Sequence, residues 1–289
     1  MNFLSAKISA WKIIKTVLII LAIVGLISLA WDIHDVFWDD SSEEEYLTEG
    51  QSAKEMAEEN DCNVLGVELH GDLTTYIPPT DTEENTYDTT ASENIVYAIN
   101  DAENDESIKA IILEVDSYGG YPVAGEEVAT ALKNAKKPTI ALIREGGVSA
   151  GYMAASGADI IFASKNSVVG SIGVTMSYLD NTQQNLKEGL NYVSLSSGKF
   201  KDTGDPNKSL SQEEKNLLMR DIKIIHQNFV KMVAENRKID IEKVEILADG
   251  STMLGEMALQ NDLIDQIGGI FEVKDYLKEK IGEEVEICW

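Results

Sequence analysis

The chain has little with which to hold a metal, a nucleotide or a nucleic acid. Its 289 residues include only two cysteines, Cys62 and Cys288, and three histidines, His34, His70 and His226. No C-x-x-C pair and no H-E-x-x-H occurs, so no zinc cage or metalloprotease site is expected. G-x-x-x-x-G-K-[ST] is missing too, and no cofactor is expected. Basic residues are also scarce, 24 against 50 acidic, for a formal net charge of -26. A phosphate backbone needs a basic surface, so nucleic acid is excluded as a partner. The acidity reads as a solvated, solubilising surface. The two cysteines stand at opposite ends of the folded part, and the sequence is compatible both with a disulfide outside a membrane and with two free buried thiols.

Long apolar runs are confined to the N-terminus. Lys7, Lys12 and Lys15 precede the apolar residues 16–31, and Asp32, Asp35, Asp39 and Asp40 follow at once. With Ile13 and Ile14 the run approaches the roughly 20 residues that span a bilayer. The charge bias predicts a transmembrane anchor over residues 1–38 with its N-terminus inside and the remainder outside. A cleaved signal peptide is the rival, because Ser28-Leu29-Ala30 offers a small-x-small site. Residues 39–60 are acidic and poor in apolar side chains, which suits a tether, and a folded domain is expected over residues 61–289.

Within that domain, apolar runs at residues 64–69, 108–115 and 139–143 alternate with amphipathic helical patterns at 94–102 and from Pro122 onward, the signature of an α/β fold. Residues 74–92, with Pro78-Pro79, read as a long polar loop. Short strands are expected at 160–163, 168–174 and 192–195, with a helix at 179–190. Ser211-Gln212-Glu213-Glu214 forms a capping box, and it opens the longest helix, with Leu218, Ile222, Ile225, Phe229 and Met232 on one face. Shorter helices follow at 241–248, 254–261 and 271–280, then a strand at 285–288.

The segment from Pro138 to Met176 carries the chemistry. An apolar strand breaks at Gly146-Gly147, and Ser149 follows in Gly147-Val148-Ser149-Ala150-Gly151, a G-x-S-x-G pattern on a strand-to-helix turn. Such a turn exposes the hydroxyl and aims the N–H groups of the helix start at a developing oxyanion. A serine needs a base. His34 borders the membrane run, His70 ends the first strand and His226 lies inside the long helix, so a histidine triad is poorly served. A buried, neutral lysine can do the same work. Lys199 and Lys201 flank Phe200 in Ser197-Gly198-Lys199-Phe200-Lys201-Asp202, and alternation sends both to the same side, so spacing leaves the choice open.

Four motifs in order, Asp116-Ser117-Tyr118-Gly119-Gly120, Gly147-Val148-Ser149-Ala150-Gly151-Tyr152, Gly170-Ser171-Ile172-Gly173-Val174 and Ser197-Gly198-Lys199-Phe200-Lys201-Asp202, resemble the signal peptide peptidase A family over residues 64–269. The resemblance implies a membrane-anchored Ser/Lys endopeptidase with a Clp/crotonase-like repeated β-β-α spiral domain, assembled into a homo-oligomeric ring and acting on remnant signal peptides or other membrane-derived peptides. It makes Ser149 the nucleophile and Lys201 the general base, and leaves Ser156 a packing residue. Gly120 and Ala150 become the oxyanion donors, and Ser171 the group that orients the lysine. Asp116 and Tyr118 depart from the Asn and Pro usual in the first motif, which leaves that turn without proline's fixed φ. A crotonase-like acyl-CoA enzyme and a non-catalytic ring scaffold share the implied fold.

Overall fold

The computed structural model describes residues 62–77 and 88–289, all within one of two compact units, Gln51–Trp289. The anchor and tether expected over residues 1–60 lie outside the described residues. Among the described residues no helix is long and apolar enough to cross a membrane.

The first half of the domain runs β1 (Val64–Thr74), β2 (Thr89–Ala91), α1 (Ser92–Asn104), β3 (Ala110–Gly120), α2 (Pro122–Asn134), β4 (Thr139–Val148), α3 (Ala150–Ala155), β5 (Ile160–Ala163) and β6 (Val168–Gly170). The second half runs α4 (Thr182–Lys187), α5 (Gln212–Arg237), α6 (Ile241–Leu247), β7 (Thr252–Leu254), α7 (Gly255–Gln260), β8 (Gln266–Ile267), α8 (Ile270–Ile281) and β9 (Ile287–Cys288). The main sheet path is β2-β1-β3-β4-β5-β8, with β9 on β1 and β6 on β4. These pairs are parallel, and β6 with β7 is antiparallel.

The near-continuous apolar run of β3 has a simple cause. Ile111, Leu113 and Val115 face one core with Ile95, Val128 and Tyr152, whereas Ala110 and Ile112 face another with Val273 and Leu277 of α8. A strand covered on both faces has no solvent side to mark with polar residues.

Three strands run further than their apolar cores. β1 passes Gly71, β3 continues to Gly120, and β4 crosses Gly146-Gly147, where the sequence predicts a break. Each extension has a ladder partner beyond an irregularity: Asp72 and Leu73 pair with Gly119 and Gly120, Ser117 with Gly147, and Gly146 to Val148 with β6. This bulged layer carries the glycine-rich turns of the sequence to one end of the sheet.

The ends of the domain are joined. Cys62 and Cys288 form a disulfide with Cα atoms 5.8 Å apart, and the Trp289 ring lies so close over Gly66 that a side chain there would have to displace it. Because the bridge spans 226 residues of sequence, removing it releases a very long loop in the unfolded chain. Reduction, or Cys288→Ser, is expected to cost about 2–5 kcal/mol. Chemical denaturation with and without reductant reads this directly; an unchanged midpoint would contradict it.

The stretch between Ile172 and Glu214 departs from expectation. None of its residues is buried, the helix expected at 179–190 shrinks to α4, and 192–195 forms no strand. A strand needs a ladder partner, and none lies beside these residues among those described. The excursion is held at its return: Lys208 pairs with Asp202 at 3.0 Å and with Glu214 at 2.5 Å. The Lys208 ammonium and the Ser211 hydrogen bonds hold the Glu214 carboxyl down at about 2. The capping box at Ser211 is realised, yet only Phe229 among the five expected face residues is buried. Val230 and Val233 enter the core beside it, while the first half of α5 stands beside a cleft.

Candidate active site

Ser149 is the residue between β4 and α3. Its backbone is left-handed, φ 54° and ψ −126°, a conformation that costs a residue with a Cβ about 1–3 kcal/mol. The fold enforces it. The Ser149 N–H donates to Gly170 O at 2.9 Å, and its carbonyl accepts from Met153 N at 2.9 Å. Tyr152, fully buried, donates its hydroxyl to Leu263 O at 2.8 Å and anchors α3; burial pushes that phenol far above its ordinary value.

Gly119, with φ +127°, is a close neighbour. A Cβ there would fall 2.9 Å from Ser149 Cβ, 3.1 Å from Oγ and 3.6 Å from Ala150 N. Gly120, with φ +150°, lies against β1, where a Cβ would meet Leu73 O at 2.0 Å. These two glycines therefore hold their backbone beside the serine, and any side chain would close the approach. Proline is not what fixes this turn. The buried Ser117 hydroxyl donates to Gly71 O at 2.7 Å and accepts from Gly119 N at 3.2 Å, Tyr121 N donates to Leu73 O at 2.8 Å, and Asp116 Oδ1 accepts from Gly146 N at 3.1 Å. Asp116 thus does its own share of the tethering.

A cleft of about 610 Å³ opens at Ser149. Gly120 and Ser171 share its wall, Val174, Met219 and Ile222 give it apolar surface, and Lys223, His226 and Asp249 rim it. Ser171 is also left-handed, φ +49°. Its N–H donates to Ser251 O at 2.9 Å and its hydroxyl to Gly250 O at 3.2 Å. Ser149, Gly120 and Ser171, chosen from sequence, therefore line one cleft, and Ala150, also chosen, follows Ser149 as the first residue of α3. Ser156 does not join them: it is buried, donates to Met153 O at 2.7 Å and accepts from Asn236 Nδ2 at 3.2 Å.

Lys201 is elsewhere. It is exposed on the excursion and is not among the residues that line the cleft. Its backbone N–H donates to Gly198 O at 3.1 Å. Lys199 differs, since its ammonium pairs with Glu213 and lies 5.3 Å from the Phe200 ring centre. Sequence reasoning missed Gly119 as a direct neighbour of Ser149, the 248–250 turn, and the α5 wall of the cleft. Gly119-Gly120 was a visible signal; the other two come from elements far along the chain with no motif of their own.

A G-x-S-x-G serine on a strained strand-to-helix turn, at the end of a mainly parallel sheet and facing an open cleft, is the arrangement in which α/β hydrolases present a nucleophile. Comparison with known proteins narrows that class. The profile of Peptidase family S49 matches residues 131–284, more than half of the chain, so the chain belongs to that family, in agreement with the signal peptide peptidase A resemblance of its motifs. A candidate protease of Methanocaldococcus jannaschii is 37% identical over 60% of this chain and 56% of its own length. A candidate signal peptide peptidase of Enterococcus faecium is 32% identical over 65% of this chain and 56% of its own. A chloroplastic protein of Arabidopsis thaliana named serine protease SPPA is 29% identical over 65% and 28%. The chain thus spans little more than half the length of the first two and less of the third.

Proposed function

We propose that the chain is a membrane-anchored serine endopeptidase in which Ser149 is the nucleophile and Lys201 of a neighbouring copy is the general base. The observation that carries this reading is the left-handed Ser149 turn, pressed against Gly119 and open to a cleft with apolar walls. Ser149 Oγ attacks the scissile carbonyl while the neutral lysine amine accepts its proton; the N–H groups of Gly120 and Ala150 receive the oxyanion. The lysine returns the proton to the leaving amine, and water then hydrolyses the acyl-enzyme with the same amine as base. Ser171 steadies the amine by accepting one of its N–H groups.

Two observations support a base supplied in trans. Lys201 is solvent-exposed in the single chain, with no burial to desolvate its amine, and the excursion that carries it leaves Leu179, Val193 and Leu195 at 78%, 76% and 96% exposure. Large apolar side chains exposed to this degree along one stretch fit a surface that another copy of the chain covers. A ring of copies of a Clp/crotonase-like domain does this, and buries the lysine in the same step. Remnant signal peptides and other membrane-derived peptides fit the apolar cleft walls.

For the whole chain the reading is an anchor over residues 1–38, a tether over 39–60 and an extracytoplasmic protease domain over 61–289. The charge bias around residues 16–31 supports it, as does the Cys62–Cys288 disulfide, because such bonds persist in oxidising compartments. Protease added to intact cells is expected to cut the tether; a tether protected until lysis sinks the topology. The chemistry is tested with a fluorophosphonate probe on the full chain. Labelling is expected at Ser149 by peptide mass mapping, and labelling elsewhere, or none in active protein, contradicts it.

A further inference from the structure

His226 takes no part in the mechanism above, yet it rims the cleft from α5. Its Nε2 lies 2.9 Å from the Ala248 carbonyl. A carbonyl only accepts, so Nε2 carries the hydrogen and donates it. Ala248 ends α6 and starts the turn to β7, a turn closed on itself by Ser251 N donating to Asp249 Oδ1 at 2.8 Å and by Gly250 at φ +85°. Both carbonyls that hold Ser171 belong to this turn, Ser251 O for its N–H and Gly250 O for its hydroxyl. Gly173 packs against it so closely that a Cβ there would be 3.0 Å from Gly250 Cα.

The direction of the Ser171 hydroxyl decides what it can do. With its hydrogen committed to Gly250 O, the oxygen presents only lone pairs to the cleft, and because the neutral amine must keep its own lone pair for the Ser149 proton, the hydroxyl steadies it by accepting one of its N–H groups. That commitment depends on where the Gly250 carbonyl points. Glycine at φ +85°, with open space where a Cβ would go, gives the turn little stiffness of its own. The imidazole fixes it from outside by tying Ala248 to the 26-residue helix α5.

We infer that His226 is a positioning residue that, through the Ala248–Ser251 turn, holds the Ser171 hydroxyl as an acceptor toward the catalytic amine. This rests on the assignment of Ser149 and Ser171 proposed above. The group does not touch the reacting atoms; its effect falls on the reactivity of Ser149 and not on peptide affinity.

The test uses the full chain, labelled casein as substrate and the rate of fluorophosphonate labelling at Ser149. His226→Leu is expected to slow labelling and kcat by about tenfold, with KM changed by less than about twofold, as loss of one hydrogen bond acting on the transition state alone requires. His226→Gln, whose Nε2 amide can reach Ala248, is expected to recover to within about threefold of the parent. In a Ser171→Ala background His226→Leu should add nothing further, because both act through one hydroxyl. If leucine unfolds the chain by circular dichroism, Gln is compared with His226→Asn, whose shorter amide does not reach, and Gln must be the faster. Parent-like kinetics of His226→Leu, a rise in KM alone, Gln no better than its comparator, or multiplying losses in the double variant would overturn the inference. Activity surviving in Ser149→Ala would instead overturn the assignment beneath it.

Discussion

Ser149→Ala is expected to remove peptidase activity to background while leaving the fold intact. The size of the effect follows from chemistry: without a hydroxyl there is no acyl-enzyme, and the oxyanion donors alone retain only a small residual rate. Stability is expected to hold, because alanine keeps the same Cβ at the strained φ, the Ser149 side chain makes no cap hydrogen bond, and the backbone is fixed by Gly170 O and Met153 N. Ser156→Ala is the matched control. Its hydroxyl bonds to Met153 O and Asn236, so losing it costs about 1 kcal/mol of stability and little activity. Casein hydrolysis by both variants, with circular dichroism, decides the matter. Equal losses would show that the turn, and not the nucleophile, had been damaged.

Lys201→Ala is expected to be as inactive as Ser149→Ala, and Lys199→Ala only mildly impaired. The two lysines are two residues apart, and their surroundings separate them. Lys199 is already held by Glu213 and Phe200 at the surface, where losing an exposed pair costs less than about 1 kcal/mol. A general base must shed its proton near pH 7, well below the ordinary lysine value of about 10.4, and each unit of that shift needs about 1.4 kcal/mol. Desolvation is the available cause, and a single chain leaves Lys201 wet. Activity is therefore expected to fall as the protein is diluted into monomers. Casein assays across a dilution series, with sedimentation at the same concentrations, check this. A fully active monomer would refute it.

The parts that were legible in the sequence share one property: their signal lies within a few consecutive residues. Strands β3 and β5 show as apolar runs because both of their faces are covered. The Ser211 capping box marks the start of α5 because the residues that satisfy its first N–H groups adjoin it. The Ser149 turn shows as G-x-S-x-G because only small residues fit around it.

What stayed hidden depends on residues far apart. The extension of β4 through two glycines needs β6 and the bulged end of β3, so the glycines alone read as a break. The disulfide joins the two ends of the domain, and composition could not choose between pairing and free thiols. The support of Ser171 by residues 248–251 and His226 joins three elements, none with a recognisable pattern. Residues 192–195 have the β-branched and aromatic character of a strand, yet without a neighbour they remain irregular and exposed.

The central claim, a serine and a lysine that meet across two copies, is tested most directly by mixing Ser149→Ala with Lys201→Ala under conditions of proven subunit exchange. Each variant alone supplies one intact half-site. In the mixture, some interfaces bring the serine of one copy to the lysine of another, and casein hydrolysis is expected to return to about a quarter of the parent rate for random exchange, since one interface in four then carries both groups. No recovery despite exchange would contradict the shared site and leave Lys201 to act, if it acts, within its own chain.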